Sequence, residues 1–281
     1  MTHSKKQPDA RIHFIGGGNM ASSLIGGLLN TGFLPENISA SDPNPRVREK
    51  LQSTHGIATH KDNWAGCQHA DLVVLAVKPQ HMQTVVTDLA DKLATMDVPP
   101  VLLSIAAGIT TASIQHWAKT EVPVVRSMPN TPALIGQGAT GLYATGNVNA
   151  SQRSLAEGVL SAVGKAWWLP EEKLLDAVTA ISGSGPAYFF LFMESLQAAG
   201  CELGLTPEIS RELVLQTALG AAALASGSSE PVAELRRRVT SPGGTTEAAL
   251  NHMLESGLPD SVKQAVRSAH ARAAELSKEF G

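Results

Sequence analysis

Several things this chain has little of narrow what it can do. Aromatic residues make up only 4% of its 281 residues, and the formal net charge is −3. Such a chain offers neither a platform for stacking bases nor a positive field for nucleic acid. It has two cysteines, Cys67 and Cys201, far apart, which excludes a disulfide framework and shows no zinc spacing. No metal site is expected, and the cysteine usage fits a reducing compartment. The opening MTHSKKQPDA lacks the apolar stretch of a signal peptide. No apolar run reaches the ~18 residues of a membrane span. The most apolar stretch, Ala180 to Met193, is interrupted by Ser182-Gly183-Ser184-Gly185-Pro186. A soluble cytoplasmic protein with no membrane or nucleic-acid partner is the expectation.

Apolar side chains, by contrast, are plentiful: 43% of the chain, enough for a sizeable core. The length suggests two domains, and the patterning divides near residue 170. From Arg11 to Pro170, short apolar runs alternate with helical stretches. Strands are expected at Ile12 to Ile15, Ile38 to Ser41, Leu72 to Val77, Val101 to Ile105, Val122 to Arg126 and Gly141 to Ala144. Helices are expected at Met20 to Leu29, Arg46 to Thr54, Met82 to Leu93 and Thr111 to Trp117. This is βαβ patterning and predicts an α/β fold with a doubly wound, largely parallel sheet over residues 1–170.

After Pro170 no strand is expected. Six helical stretches fill 171–281, with breaks at Gly204, Gly227, Gly243 and Gly257. The one from Pro207 is rich in small residues (Ala218, Gly220, Ala221, Ala222, Ala223, Ala225). Small side chains let helices approach closely. So small a helical region would otherwise leave apolar faces exposed, which favours an intertwined helical dimer.

Gly16-Gly17-Gly18-Asn19-Met20-Ala21 fits G-x-G-x-x-A between a strand and a helix, the setting of a dinucleotide pyrophosphate site. Gly16 allows the tight turn, Gly18 allows close approach of the ligand, and Ala21 lets the helix pack on the sheet. Asp42 ends the second strand, where an acid bonds the ribose 2′-OH and favours NAD. Yet Arg46 in the same loop suits a 2′-phosphate, and Asp42 also reads as a cap for the next helix. Ala76-Val77-Lys78-Pro79 ends the third strand at the switch point. Lys78 reads as a cofactor contact or as a solvated charge. Ser104 to Gly108 leaves room for a nicotinamide, or simply packs strand on helix. Asn130, between two prolines, orients a ligand or belongs to a rigid loop.

Two segments of the helical region stand out. Ser182 to Tyr188 opens a long helix with glycines that permit a close backbone approach, or else a kink. Leu235 to Leu250 carries a basic run, then Ser241-Pro242-Gly243-Gly244, then Thr245 and Thr246. Pro242 fixes φ and the glycines open conformations closed to other residues. Thr245 or Thr246 is placed to cap the following helix, with Glu247 in its first turn. The corner aims N–H groups and hydroxyls into one space, which suits a small anion; it also serves as a plain helix–loop–helix turn.

FIGGGNMASSLIGGL, AVKP, SIAAG, MPNTP, AVTAISGSGPAY and RRRVTSPGGTTEAAL occur in that order along nearly the whole chain. In these segments the chain resembles the pyrroline-5-carboxylate reductases. The resemblance implies a Rossmann domain, a helical dimerisation domain and rings of dimers, often decamers. It implies hydride transfer from NADPH or NADH to the C=N carbon of 1-pyrroline-5-carboxylate, giving L-proline. NADPH is the expected cofactor. Cofactor contacts are carried over to Gly16, Gly17, Gly18, Asn19, Met20, Ala21, Ser41, Asn63, Val77, Lys78, Pro79 and Ala107. Substrate contacts are carried over to Glu172, Thr245 and Thr246, with the Ser241 to Gly244 turn around the carboxylate. Arg238 stands where some members have Asn, which puts a cofactor contact there in doubt.

A cyclic imine needs proximity and orientation more than strong acid or base. The sequence agrees: no lysine lies between Lys173 and Lys263, and His252 is the one histidine there. Thr246 is expected to bond the imine nitrogen, and the Gly243, Gly244 and Thr245 amides to hold the carboxylate. Thr246 as a helix cap, and Glu172 as a first-turn charge beside Glu171, are the structural alternatives.

Overall fold

A computed structural model describes residues 9–280. The polar opening, residues 1–8, lies outside the described residues, so the reading of its composition has no structural counterpart. Two compact units emerge. Among the described residues, unit one comprises 9–184 together with 269–280, and unit two 185–268.

Unit one is built on an eight-stranded sheet of order β3-β2-β1-β4-β5-β6-β7-β8. The strands are β1 (Ile12–Ile15), β2 (Ile38–Ser41), β3 (Ala58–His60), β4 (Leu72–Leu75), β5 (Val101–Ser104), β6 (Val124–Met128), β7 (Gly138–Ala144) and β8 (Gly164–Trp168). All neighbours are parallel except β6 and β7, which run antiparallel. The helices are α1 (Asn19–Asn30), α2 (Pro45–His55), α3 (Trp64–Cys67), α4 (Pro79–Leu93), α5 (Thr111–Ala118), α6 (Ala150–Ser161) and α7 (Leu174–Val178).

The continuous apolar strands have the cause expected of them: both faces are covered. Leu72 and Val74 join one core with Phe14, Leu24 and Leu28, while Val73 and Leu75 join the other with Met82, Val86 and Leu89. Burying each such side chain contributes about 1.5–3 kcal/mol. The α1 helix buries Ala21, Leu24, Ile25 and Leu28, an i, i+3, i+4, i+7 stripe.

Two expectations are corrected here. The α2 helix is capped by Asn44, whose side chain accepts the Arg46 N–H, and not by Asp42. Asp42 instead accepts the Asn44 N–H, two residues on. Sequence patterning also passed over β3, α3, α6 and β8. The first two are only three and four residues long.

In unit two, α8 (Gly185–Glu202) packs against α9 (Pro207–Gly227), followed by α10 (Val232–Arg238) and α11 (Thr245–Glu255). The last helix, α12 (Leu258–Phe280), begins in unit two and contributes its residues from Ala269 onward to unit one. At Gly200 an added Cβ would stand 2.3 Å from Ser210 Oγ, so glycine there permits the close approach of α9. Ser210 fixes the contact by donating to the Gln197 carbonyl at 2.9 Å. The break after α9 falls at Ser228 rather than Gly227, which is still helical. The stretch before α8 forms a wide π turn over Thr179–Gly183, and Gly183 there leaves room for Met128.

Candidate active site

The glycine loop joins β1 to α1 at the point where strand order reverses, between β1 and β4. Such a crevice is where a doubly wound sheet binds its ligand. Each glycine has a separate reason. Gly16 has φ +97, and a Cβ on it would lie 2.6 Å from the Ala76 carbonyl oxygen. A Cβ on Gly17 would meet Val47 at 2.5 Å. Gly18 caps α1 and has nothing within 4 Å of its Cβ position, so its open side is free for a ligand. The space and the unpaired first-turn amides of α1 fit a pyrophosphate.

The loop is pinned from below. The Gly16 N–H donates to the Ser41 carbonyl at 2.8 Å. The Gly17 N–H donates to Asp42 Oδ2 at 3.0 Å. Since Oδ1 accepts from Asn44, both carboxylate oxygens of Asp42 already hold backbone. Arg48 is spent on the Asp42 and Pro43 carbonyls. Arg46 is exposed, and its guanidinium has no partner among the described residues. The loop thus presents a cation and keeps its acid occupied.

Ser41 is buried, and its hydroxyl donates to Asn63 Oδ1 at 2.7 Å. Asn63 precedes α3 and is half-buried. Val77, half-buried, and Lys78, exposed, follow β4, and Pro79 opens α4. Ala107 is half-buried beside Gly108, whose φ of +78 and closeness to the Leu276 carbonyl bring the end of α12 against this loop. Asn130 is a scaffold residue: its Nδ2 donates to the Ser182 carbonyl and its Oδ1 accepts the Ala139 N–H.

Glu172 is also tied into the scaffold. Its Oε1 accepts the Thr111 N–H at 2.8 Å and an Arg126 N–H at 3.0 Å, and its Oε2 accepts the Thr111 hydroxyl at 2.8 Å. Arg126 is 5% exposed. Its other nitrogen donates to Ser277 on α12, which in turn donates to Asp176. Glu172 was expected at the substrate or in a first-turn position; its carboxylate pairs with the buried Arg126 guanidinium and accepts the first amide of α5, the helix that Thr110 caps. This cluster went unnoticed in the sequence because its members lie far apart in the chain.

In unit two the corner before α11 differs from expectation in a useful way. Gly243 takes φ +68, and its N–H donates to Glu247 Oε2 at 2.8 Å. The Gly244 N–H donates to the Ser241 carbonyl at 3.0 Å. These two amides, expected to hold a carboxylate, are therefore already used. Gly244 caps α11 with no side-chain bond, so neither Thr245 nor Thr246 is the cap. Both threonines are exposed, and neither hydroxyl nor either amide has a partner among the described residues. Arg238 pairs with Glu230 and Glu234.

Cys67 is buried, and burial, with Asp62 nearby, pushes its thiol up to about 12, which keeps it unreactive. Among the described residues no group of three His, Cys, Asp or Glu side chains is placed to hold a metal ion.

Many large apolar side chains of unit two face outward, among them Phe189, Phe190, Leu191 and Phe192 on α8 and Leu213, Leu219 and Leu224 on α9. The helical run Leu174–Glu202 has the length and apolarity to cross a membrane. A subunit interface explains the same surface: residues 172–276 match the family model for pyrroline-5-carboxylate reductase dimerisation. The chain dimerises with a copy of itself. Residues 11–108 match the model for NADP oxidoreductase, coenzyme F420-dependent.

Along its length the chain is 51% identical to a pyrroline-5-carboxylate reductase of Pseudomonas aeruginosa, covering 96% of this chain and 98% of that one. A solved structure of a pyrroline-5-carboxylate reductase from Coxiella burnetii superposes with a TM-score of 0.92 at 41% identity, over 96% of this chain and 99% of that one. Another, a Plasmodium falciparum pyrroline carboxylate reductase with NADP bound, does so with a TM-score of 0.83 at 30% identity, over 97% and 100%. With these likenesses the chain belongs to the pyrroline-5-carboxylate reductases, the NAD(P)H-dependent oxidoreductases of proline biosynthesis that reduce the C=N bond of 1-pyrroline-5-carboxylate.

Proposed function

We propose that the Thr245–Thr246 corner seats the substrate and that the glycine loop holds NADPH in preference to NADH. The observation that carries the first half is the pattern of used and unused donors. Gly243 and Gly244 are locked into the turn, whereas Thr245 and Thr246 begin α11 with amides and hydroxyls unpaired. Those amides sit at the positive end of an eleven-residue helix, which suits the substrate's carboxylate. The Thr246 hydroxyl donates to or accepts from the imine nitrogen. The bound dinucleotide supplies the hydride. The protein's part is orientation, since the corner carries no lysine or histidine to act as a strong base.

The cofactor contacts are Gly16, Gly17, Gly18, Asn19, Met20, Ala21, Asn63, Val77, Lys78, Pro79 and Ala107, with Ser41 and Asp42 shaping the loop from beneath. Glu172 acts through the scaffold. The preference for NADPH rests on Asp42, whose carboxylate is occupied, and on Arg46, whose guanidinium is free. Residues 1–170 form the dinucleotide-binding domain and 171–281 the dimerisation and substrate domain. The enzyme works in the cytoplasm, and its dimers assemble into a ring of the decamer kind.

Initial rates with saturating 1-pyrroline-5-carboxylate and either cofactor test this reading. A higher kcat/KM for NADPH is expected; a higher value for NADH contradicts it. Light scattering coupled to size exclusion measures the ring, and a mass stopping at the dimer removes it.

A further inference from the structure

One face of the sheet carries a polar cluster at β1 and β2, apart from the buried Arg126 group. On β1 and β2, Ile12, Phe14, Ile38 and Ala40 enter one core. The alternate residues His13, Ser39 and Ser41 fall on the opposite face, and His13 is fully buried. The imidazole is packed against α3 so closely that a Cβ on Gly66 would stand 2.0 Å from its Nδ1. Both ring nitrogens are engaged, Nδ1 with Ser39 Oγ at 2.8 Å and Nε2 with Ser41 Oγ at 3.1 Å.

These bonds run in one direction. Burial, and then His60, lower the His13 pKa to about 4, so the ring is neutral and carries one N–H. The Ser41 hydroxyl gives its single hydrogen to Asn63 Oδ1. It must therefore accept from His13, which places the ring hydrogen on Nε2 and leaves Nδ1 to accept from Ser39. The relay Ser39 to His13 to Ser41 to Asn63 ends by holding the Asn63 carbonyl oxygen inward. Its NH2 group then faces away from Ser41, with no partner among the described residues. Asn63 reaches Ser41 at the carboxyl end of β2, the position from which a dinucleotide-binding sheet reads the ribose 2′ substituent.

We propose that His13 is a positioning residue for cofactor choice: through Ser41 it turns the Asn63 amide so that its NH2 group faces the 2′-phosphate of NADP(H). The proposal rests on the dinucleotide reading above. Running the relay backwards requires the hydrogen on Nδ1 and a flipped Asn63 amide. That arrangement presents a carbonyl oxygen, which repels a phosphate and suits a 2′-hydroxyl.

Calorimetric Kd values for NADP+ and NAD+ test it on the full-length wild type, His13→Leu and His13→Gln, with 15N NMR of the His13 ring in the wild type. The expected spectrum shows the Nε2–H tautomer. His13→Leu is expected to weaken NADP+ on the order of tenfold and NAD+ by less than about twofold, as one charge-assisted hydrogen bond is misdirected. The KM for NADPH should rise while kcat at saturating NADPH holds. His13→Gln, which keeps a donor toward Ser41, should restore most of the NADP+ affinity. Equal weakening of both cofactors, unchanged NADP+ binding, or an Nδ1–H tautomer overturns the proposal. Should His13→Leu not fold, Ser41→Ala takes its place, and the tautomer in the wild type still decides. A wild type that binds no NADP+ removes the dinucleotide reading and the relay together. Tight wild-type binding with an unaffected variant removes the relay alone.

Discussion

Two glycine turns, each leading into a helix, solve different problems in this molecule. In the loop before α1, Gly16 and Gly17 are glycines because there is no room: Ala76 and Val47 stand where a Cβ would go. In the corner before α11, Gly243 is glycine because of its φ of +68, with nothing within 4 Å of its Cβ position. The first turn is held from outside, by Ser41 and Asp42 on the neighbouring strand's end. The second is held from within, by Ser241 and Glu247. A turn braced by the sheet fits a rigid dinucleotide. A self-contained turn keeps the two threonines after it free for a small ligand.

Substituting the crowded turn should have the largest effect. Gly16→Ala places a methyl against the Ala76 carbonyl in a left-handed conformation. We expect kcat/KM for NADPH to fall by more than about 100-fold, because the loop must move to relieve both strains. Gly243→Ala meets conformational strain alone, about 1–2 kcal/mol. Measured side by side, near-equal losses in cofactor binding would dissolve the distinction between crowded and open turns.

Next in size is the ion pair that braces unit one. Glu172→Ala leaves the buried Arg126 with only the more distant Asp176, 3.9 Å away, and leaves the first amide of α5 without its acceptor. A loss of up to about 3 kcal/mol in urea unfolding is expected, since the buried guanidinium loses its nearer carboxylate and keeps only Asp176. The KM for 1-pyrroline-5-carboxylate should hold where the variant is folded. A variant of native stability with a raised KM would return Glu172 to the substrate.

A smaller, pH-dependent effect belongs to the polar face under the loop. His13 titrates near 4 when folded, against an ordinary 6.5. As pH falls, the unfolded chain binds this proton first. The stability is therefore complete above about pH 6.5, declines as pH falls toward 4, and is level below that. The decline amounts to about 3 kcal/mol at most and less at intermediate pH. His13→Gln should flatten the urea midpoint across this window relative to wild type. Parallel curves for the two proteins would mean that the folded protein protonates His13 readily.

The same comparison explains what the sequence made legible. The loop could be read from Gly16 to Ala21 because its determinants are local: a buried strand, three glycines and an amphipathic helix. The largely parallel, doubly wound sheet followed from Leu72 to Leu75 and similar runs, apolar on both faces. The corner could be located from Pro242 and its glycines, but not its donor pattern. Whether Gly243 or Thr245 offers a free amide depends on where the Glu247 carboxylate turns. Glu172 was out of reach because Thr111 and Arg126 meet it only in the folded sheet. His13 did carry a signal, a polar residue inside an apolar strand, but its partners Ser39, Ser41 and Asn63 become neighbours only through the β1–β2 register and the placement of α3.

The account stands most directly on Thr246. Steady-state kinetics of Thr246→Ala and Thr246→Ser, with 1-pyrroline-5-carboxylate varied at saturating NADPH, measure its part. The account predicts a fall in kcat of roughly 10- to 100-fold for alanine, the scale of losing one hydrogen bond to a charged group. It also predicts recovery with serine, an unchanged KM for NADPH and unaltered thermal stability, since the hydroxyl caps nothing. Wild-type turnover in Thr246→Ala would contradict it.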